Sequence, residues 1–287
     1  YMVLYLFMFF VCFILAVSRN RQLQYANNIN GCLYKQNYSV VLNIFIFACI
    51  SGFRYNLGGT DYDYYRYVYD LVNGEHNLLK TLTYSQYEVG YTTFVYLCAN
   101  VLHLSYEGSL VVEAFIFYIL MYVGLKKYMP NWGIFLMFFM YKMFFYVTFV
   151  AMRQAFTVAG FFVIMRYLEE RKPLKYYASL ALVATFHYGA LLLFVLYPLF
   201  GLKIKKERLK TIAVIFGVST FFSGLTGTSL NFVVSILGLS QLEDKAAGYS
   251  GGAGLNILYT IEYFLLYIFM VRNYDKIKQR FQHADFV

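Results

Sequence analysis

The chain has little charge. Asp, Glu, Lys and Arg make up 14% of its 287 residues, against 60% that are hydrophobic. No long polar segment remains once the apolar runs are set aside, which excludes an ordinary soluble domain. The landmarks of several enzyme classes are missing too. There is no HExxH, no P-loop, no GxGxxG turn after a strand and no carboxylate-rich cluster, so metal-dependent and nucleotide-sugar-dependent mechanisms have no visible support. Cys12, Cys32, Cys49 and Cys98 show no metal-like spacing. Three of them lie inside apolar runs, where a thiol behaves as a small hydrophobe, and no disulfide framework is expected. The opening YMVLYLFMFFVCFILAV lacks the basic flank and small-residue cleavage site of a signal peptide, and reads as a first membrane helix. No internal repeat, low-complexity tract or linker is apparent.

What is present is apolar and aromatic. Mean hydropathy is +0.54, aromatics reach 22%, and the apolar runs are continuous rather than alternating. A bilayer forces the backbone to satisfy its own hydrogen bonds, so continuous runs imply helices rather than barrel strands. The expected fold is all-α, a polytopic transmembrane bundle of roughly eight to ten helices, each needing about 20 apolar residues. It is expected to form a single integral-membrane domain over residues 1–287. Candidate spans are 1–17, 38–53, 88–104, 108–125, 131–150, 154–169, 209–225 and 254–271, with 226–240 weaker. The net charge of +9 does not point to nucleic acid, because the basic residues sit in short loops: Arg19 and Arg21, Lys126 and Lys127, Arg171 to Lys175, Lys203 to Lys210, and Arg272 to Arg280. That is the positive-inside pattern.

Residues 176–200, YYASLALVATFHYGALLLFVLYPLF, have basic clusters on both sides. One simple crossing would put one cluster on the wrong face. Two half-helices turning back near His187 and Gly189 keep both inside, and such a re-entrant hairpin requires surrounding protein or a water-filled cavity. The same charge rule places the loop at Met152 and Arg153 outside. Counting crossings from the N-terminus leaves one too many, so either one loop defies the charge rule or, the favoured reading, the segment from Glu88 to His103 does not span. The glycine-rich 248–256 reads as an external loop.

Charge reappears in FRYNLGGTDYDYYRYVYD, residues 53–70. Gly58 and Gly59 end one helix, Thr60 starts another, and Asp61 and Asp63 load its first turn, where the helix dipole favours negative charge. The bland reading of this Tyr-rich helix is an interfacial aromatic belt. Against it stands Arg54, on the face where cations are disfavoured, whose planar fork suits a diphosphate. Arg153 interrupts an otherwise apolar run, and such a cation either marks a tight external turn or serves function. His187 is either a packed histidine or a general base, since its unperturbed pKa of about 6.5 lets it accept a proton near neutrality. Glu88 is placed to face the external loop, whereas Glu113 and Glu262 are expected to pair with helix neighbours.

Four short stretches in order, FRYNLGGTDYDYYRYVY, then EVGYTTF at 88–94, MRQAFTVAG at 152–160 and FHYGALLL at 186–193, resemble the EpsG family of polysaccharide polymerases, related to the Wzy polymerases. The resemblance covers most of residues 40–200. It implies a multi-pass enzyme of the bacterial inner membrane that joins oligosaccharide units carried on undecaprenyl diphosphate at the external face, building exopolysaccharide, capsule or O-antigen. Carried over by motif, the family's charged positions are Arg54, Asp61, Glu88, Arg153 and His187. Relatives commonly continue through further helices, so a fragment or a short member is expected.

Glycosyl transfer from a lipid diphosphate needs positive charge for the departing group and a base for the acceptor hydroxyl. The expected assignment gives Arg153 and Arg54 the diphosphate, with Arg66 as a weaker third. The base is His187, or a carboxylate from Asp61 or Glu88. Tyr62, Tyr64 and Tyr65 are placed to stack on sugar rings. No cofactor or metal is called for. The expected partners are the lipid-linked oligosaccharide, the bilayer, a flippase and a chain-length co-polymerase. The alternatives are a transporter or flippase gripping the same diphosphate without chemistry and, last, an acyltransferase using a buried histidine.

Overall fold

The computed structural model describes residues 2–28, 38–55, 59–129, 131–141, 148–200 and 257–276. Every regular element among the described residues is helical. In chain order they are α1 (Met2–Asn28), α2 (Tyr38–Gly52), α3 (Gly59–Asn73), α4 (Leu78–Tyr84), α5 (Val89–Tyr96) with a π-helical turn Leu97–Val101, α6 (Tyr106–Leu125), α7 (Trp132–Tyr141), α8 (Met152–Glu169), α9 (Pro173–Ala184), a 3-10 helix Tyr188–Val195 leading into α10 (Leu196–Leu199), and α11 (Ile257–Arg272). Contacts divide the chain into two units, Tyr1–Tyr197 and Pro198–Val287. In the second, α11 is an apolar helix with Arg272 in its last turn, where a cation complements the dipole. The expected spans at 209–225 and 226–240 and the loop at 248–256 lie outside the described residues.

Among the described helices, α6 alone is long and apolar enough to cross a membrane by itself. Shorter apolar helices run over Leu6–Arg19, Val40–Gly52, Val89–Val101, Trp132–Tyr141 and Tyr188–Leu199. At a rise of 1.5 Å per residue, Val89–Val101 reaches roughly 20 Å, short of the about 30 Å hydrocarbon core. The π-helical turn closes it: Leu102 N–H donates to Leu97 O at 2.9 Å, and His103 takes a left-handed φ of 50° that no helix continues. This is the segment whose crossing the charge count could not accommodate.

α6 is the axis of the first unit. Its buried residues Ala114, Phe117, Tyr118, Met121 and Leu125 follow helical spacing, and they join α1, α2, α7 and α8 in one core through Met8, Phe47, Trp132, Leu136 and Ala159. α6 and α8 meet backbone to backbone. A Cβ on Gly124 would lie 2.5 Å from the Phe162 carbonyl carbon, so only glycine permits that approach, the small-residue device of membrane helix pairs. Overpacking there costs about 1–3 kcal/mol.

The Tyr-rich segment is helical as expected, but Tyr62, Tyr65 and Tyr69 point inward. Tyr62, Tyr65, Val68, Tyr69 and Val72 form one face of α3 and pack with Tyr87, Tyr91, Tyr106 and Met152 in a second core. Asp61, Asp63, Tyr64 and Tyr67 occupy the exposed face.

Residues 173–199 turn back on themselves. Pro173 opens α9 at a position where its missing N–H goes unneeded. The chain reverses over Thr185 to His187, so that Tyr176 OH donates to Leu193 O at 2.7 Å and the Tyr177 and Phe194 rings sit 4.4 Å apart. The reversal falls at His187, where the flanking basic clusters had placed it.

Candidate active site

The hairpin tip is bolted to the start of α5. Gly90 N–H donates to Thr185 O at 2.8 Å. A Cβ on Gly90 would overlap the Thr185 hydroxyl and lie 2.9 Å from the Thr185 carbonyl carbon, so the glycine is what lets the tip sit down. Glu88 is the N-cap residue of α5, yet its carboxylate does not cap that helix. It is free to face the tip.

His187 Nδ1 lies 3.0 Å from Glu88 Oε1, and the Tyr188 N–H donates to the same oxygen at 3.2 Å. The other oxygen, Oε2, accepts from Arg153 Nη1 at 2.5 Å. Arg153 also donates from Nε to Tyr65 OH at 3.3 Å, and its guanidinium carbon lies over the Tyr87 ring, 4.4 Å from the centroid, a cation–π contact. Glu88 is 6% exposed, whereas Arg153 and His187 are 25% and 26% exposed. A buried carboxylate therefore ties together a cation and an imidazole that both reach solvent.

An ionised carboxylate can only accept, so Nδ1 of a neutral His187 carries the proton and Nε2 keeps the lone pair. That is the arrangement of an oriented base. Burial raises the Glu88 pKa most strongly, but hydrogen bonds from its own backbone, Arg153 and Tyr188 outweigh it, and the value falls below the ordinary 4.5. A depressed carboxylate pKa stabilises the fold above the unfolded value, and that contribution is lost as pH falls through the lower native one. The charged and titratable groups facing it are Arg153 and His187. The gap in melting temperature between the native chain and Glu88→Gln in detergent should hold steady above about pH 5 and close on acidification below 4.5. A gap unchanged down to about pH 3 would count against the ion pair.

Of the residues singled out from sequence, the structure brings together Glu88, Arg153, His187 and Tyr65. It places the others elsewhere. Arg54 is buried and donates from Nη2 to Met152 Sδ at 2.7 Å, with no contact to Glu88 or His187 among its hydrogen bonds. Arg66 pairs with Glu107 at 3.0 Å near the surface. Asp61 is exposed on α3. Tyr62 is 1% exposed, with its ring edge-on to Tyr106 at 5.2 Å, and Tyr64 OH donates to Gln86. Tyr87 and the Tyr188 amide are the participants that sequence reasoning missed. Tyr87 adjoins Glu88 and was available as a signal.

Compared with known proteins, the chain matches the family model described as the EpsG family over residues 37–286. No curated protein and no solved structure matches it.

Proposed function

Since the chain belongs to the EpsG family of Wzy-like polysaccharide polymerases, we propose that it joins undecaprenyl-diphosphate-linked oligosaccharide units by metal-independent glycosyl transfer. The reaction takes place at the external face of the bacterial inner membrane. The observation that carries this reading is the Glu88 carboxylate shared between Arg153 and His187, which pairs a base with a cation in one partly open site.

In this reading the acceptor sugar hydroxyl gives its proton to His187 Nε2 as its oxygen attacks the anomeric carbon of the donor. The bond from that carbon to the phosphate oxygen breaks, and undecaprenyl diphosphate leaves with the electron pair. Two of the five Arg153 N–H donors are engaged by Glu88 and Tyr65. The remaining three serve the negative charge that grows on the leaving diphosphate, where a fixed donor stabilises most. Glu88 is the positioning carboxylate. His187 returns its proton to water between turnovers.

A multi-pass placement is supported by the apolar side chains left on the outside, among them Leu192 at 81%, Phe138 at 63% and Phe10 at 60% exposure. Such a surface is unfavourable in water and ordinary against lipid. The hairpin of residues 173–199 is then re-entrant, with His187 at its tip.

Cells lacking the chain should accumulate one unpolymerised lipid-linked unit at the external face of the membrane. Accumulation on the cytoplasmic face instead would replace this reading with that of a flippase.

A further inference from the structure

Arg54 stands where the chain leaves α2. Its Nη1 donates back to Ser51 O at 3.2 Å, satisfying an end carbonyl of the helix, and also to Thr148 O at 3.3 Å. Nη2 donates to Met152 Sδ at 2.7 Å, and the guanidinium carbon lies 5.2 Å from the Phe149 ring centroid. Three of its contacts thus fall on residues 148–152, the stretch that bends at Ala151 (φ −105°, ψ 59°) into α8. Arg153 is the second residue of that helix. Arg54 is 4% exposed, too deep to share a ligand with the solvent-facing edge of Arg153.

We propose that Arg54 is a positioning residue: it pins the entry to α8 so that the Arg153 guanidinium meets both Glu88 and the departing diphosphate. This rests on the polymerase reading above. Glu113 of α6 lines the same small cavity with Ser51, Tyr118, Thr148 and Ala155. A buried cation is tolerated only where acceptors surround it, here the Ser51 and Thr148 carbonyls and the Met152 sulfur. A lysine at 54 would keep the positive charge beside that cavity. Its single ammonium cannot span the Ser51 and Thr148 carbonyls and the Met152 sulfur together.

The test is polymerisation of a synthetic lipid-linked repeat unit by membrane vesicles carrying the native chain, Arg54→Lys, Arg153→Lys or both. Arg54→Lys should reach the membrane at native levels and lose roughly tenfold in kcat with donor KM unchanged, because small misplacements of a catalytic group act on the reacting geometry. In the Arg153→Lys background it should add less than twofold, since the group it positions is already gone. A native kcat, a raised donor KM at native kcat, a full additional tenfold loss in the double variant, or failure of Arg54→Lys to accumulate would each overturn the proposal. Arg153→Lys is the separate control. Native polymerisation in that variant removes the Arg153 fork from the reaction, native polymerisation in Arg54→Lys alone sinks only the positioning role, and no polymerisation by the native chain sinks the polymerase reading.

Discussion

Replacing Glu88 by glutamine should reduce polymer synthesis by roughly a thousandfold, within the range that a general base contributes, while the chain still inserts. The change is nearly isosteric, so its effect isolates the chemistry of the two carboxylate oxygens. Oε2 accepts from Arg153, and Oε1 accepts from the Tyr188 N–H and faces His187 Nδ1. An amide has one accepting oxygen and one donating nitrogen. If the oxygen turns to His187, the NH2 opposes the Arg153 guanidinium, donor against donor. If the oxygen turns to Arg153, the NH2 donates to His187 Nδ1, and the imidazole proton moves to Nε2, the atom that should take the acceptor's proton. Either orientation disables one half of the site. Loss of one partner from a buried pair also destabilises by about 3–5 kcal/mol, so the amount of folded protein must be measured beside the polymer ladder. A ladder within tenfold of native at equal protein would remove Glu88 from the mechanism.

The helices were legible in the sequence because a membrane-compatible chain writes them as apolar runs, and α2, α6 and α8 fall within a few residues of where those runs begin and end. The reversal at His187 was legible for a different reason: charge at both ends of one apolar stretch constrains its topology. The partners inside the site were not. Arg153 reaches Glu88 across 65 positions and His187 reaches it across 99, and no local pattern encodes such pairings. Arg54 shows the same limit in reverse. From sequence it is a second cation for the diphosphate, but nearby backbone carbonyls and a methionine sulfur surround it. Glu107 likewise holds Arg66. Tyr62 was misread in direction, being buried against Tyr106, since spacing fixes which residues share a face without saying whether that face meets solvent or core. Gly90 could not have been singled out at all. Its necessity comes from Thr185, on the hairpin docked against it.

Arg153→Lys should lower the polymerisation rate about a hundredfold, within the loss seen when a transition-state donor is removed, with the protein remaining in the membrane. The positive charge survives, so a purely Coulombic role for the residue would leave most activity in place. What disappears is shape. The guanidinium meets Glu88 through Nη1, Tyr65 through Nε and the face of Tyr87 at 4.4 Å all at once. An ammonium is a point charge on a flexible stem, and when it pairs with Glu88 it has no rigid second edge left for a phosphate. Charge on the leaving diphosphate grows as the glycosidic bond breaks, so the lost contact belongs to the transition state and should appear in kcat, with donor KM changing less than about threefold. The opposite split, a raised KM at native kcat, would move Arg153 from the breaking bond to ground-state binding. Full-length polymer at the native rate would show that charge alone suffices, and the fork that the Glu88 and Tyr65 contacts hold in place would have no part in the reaction.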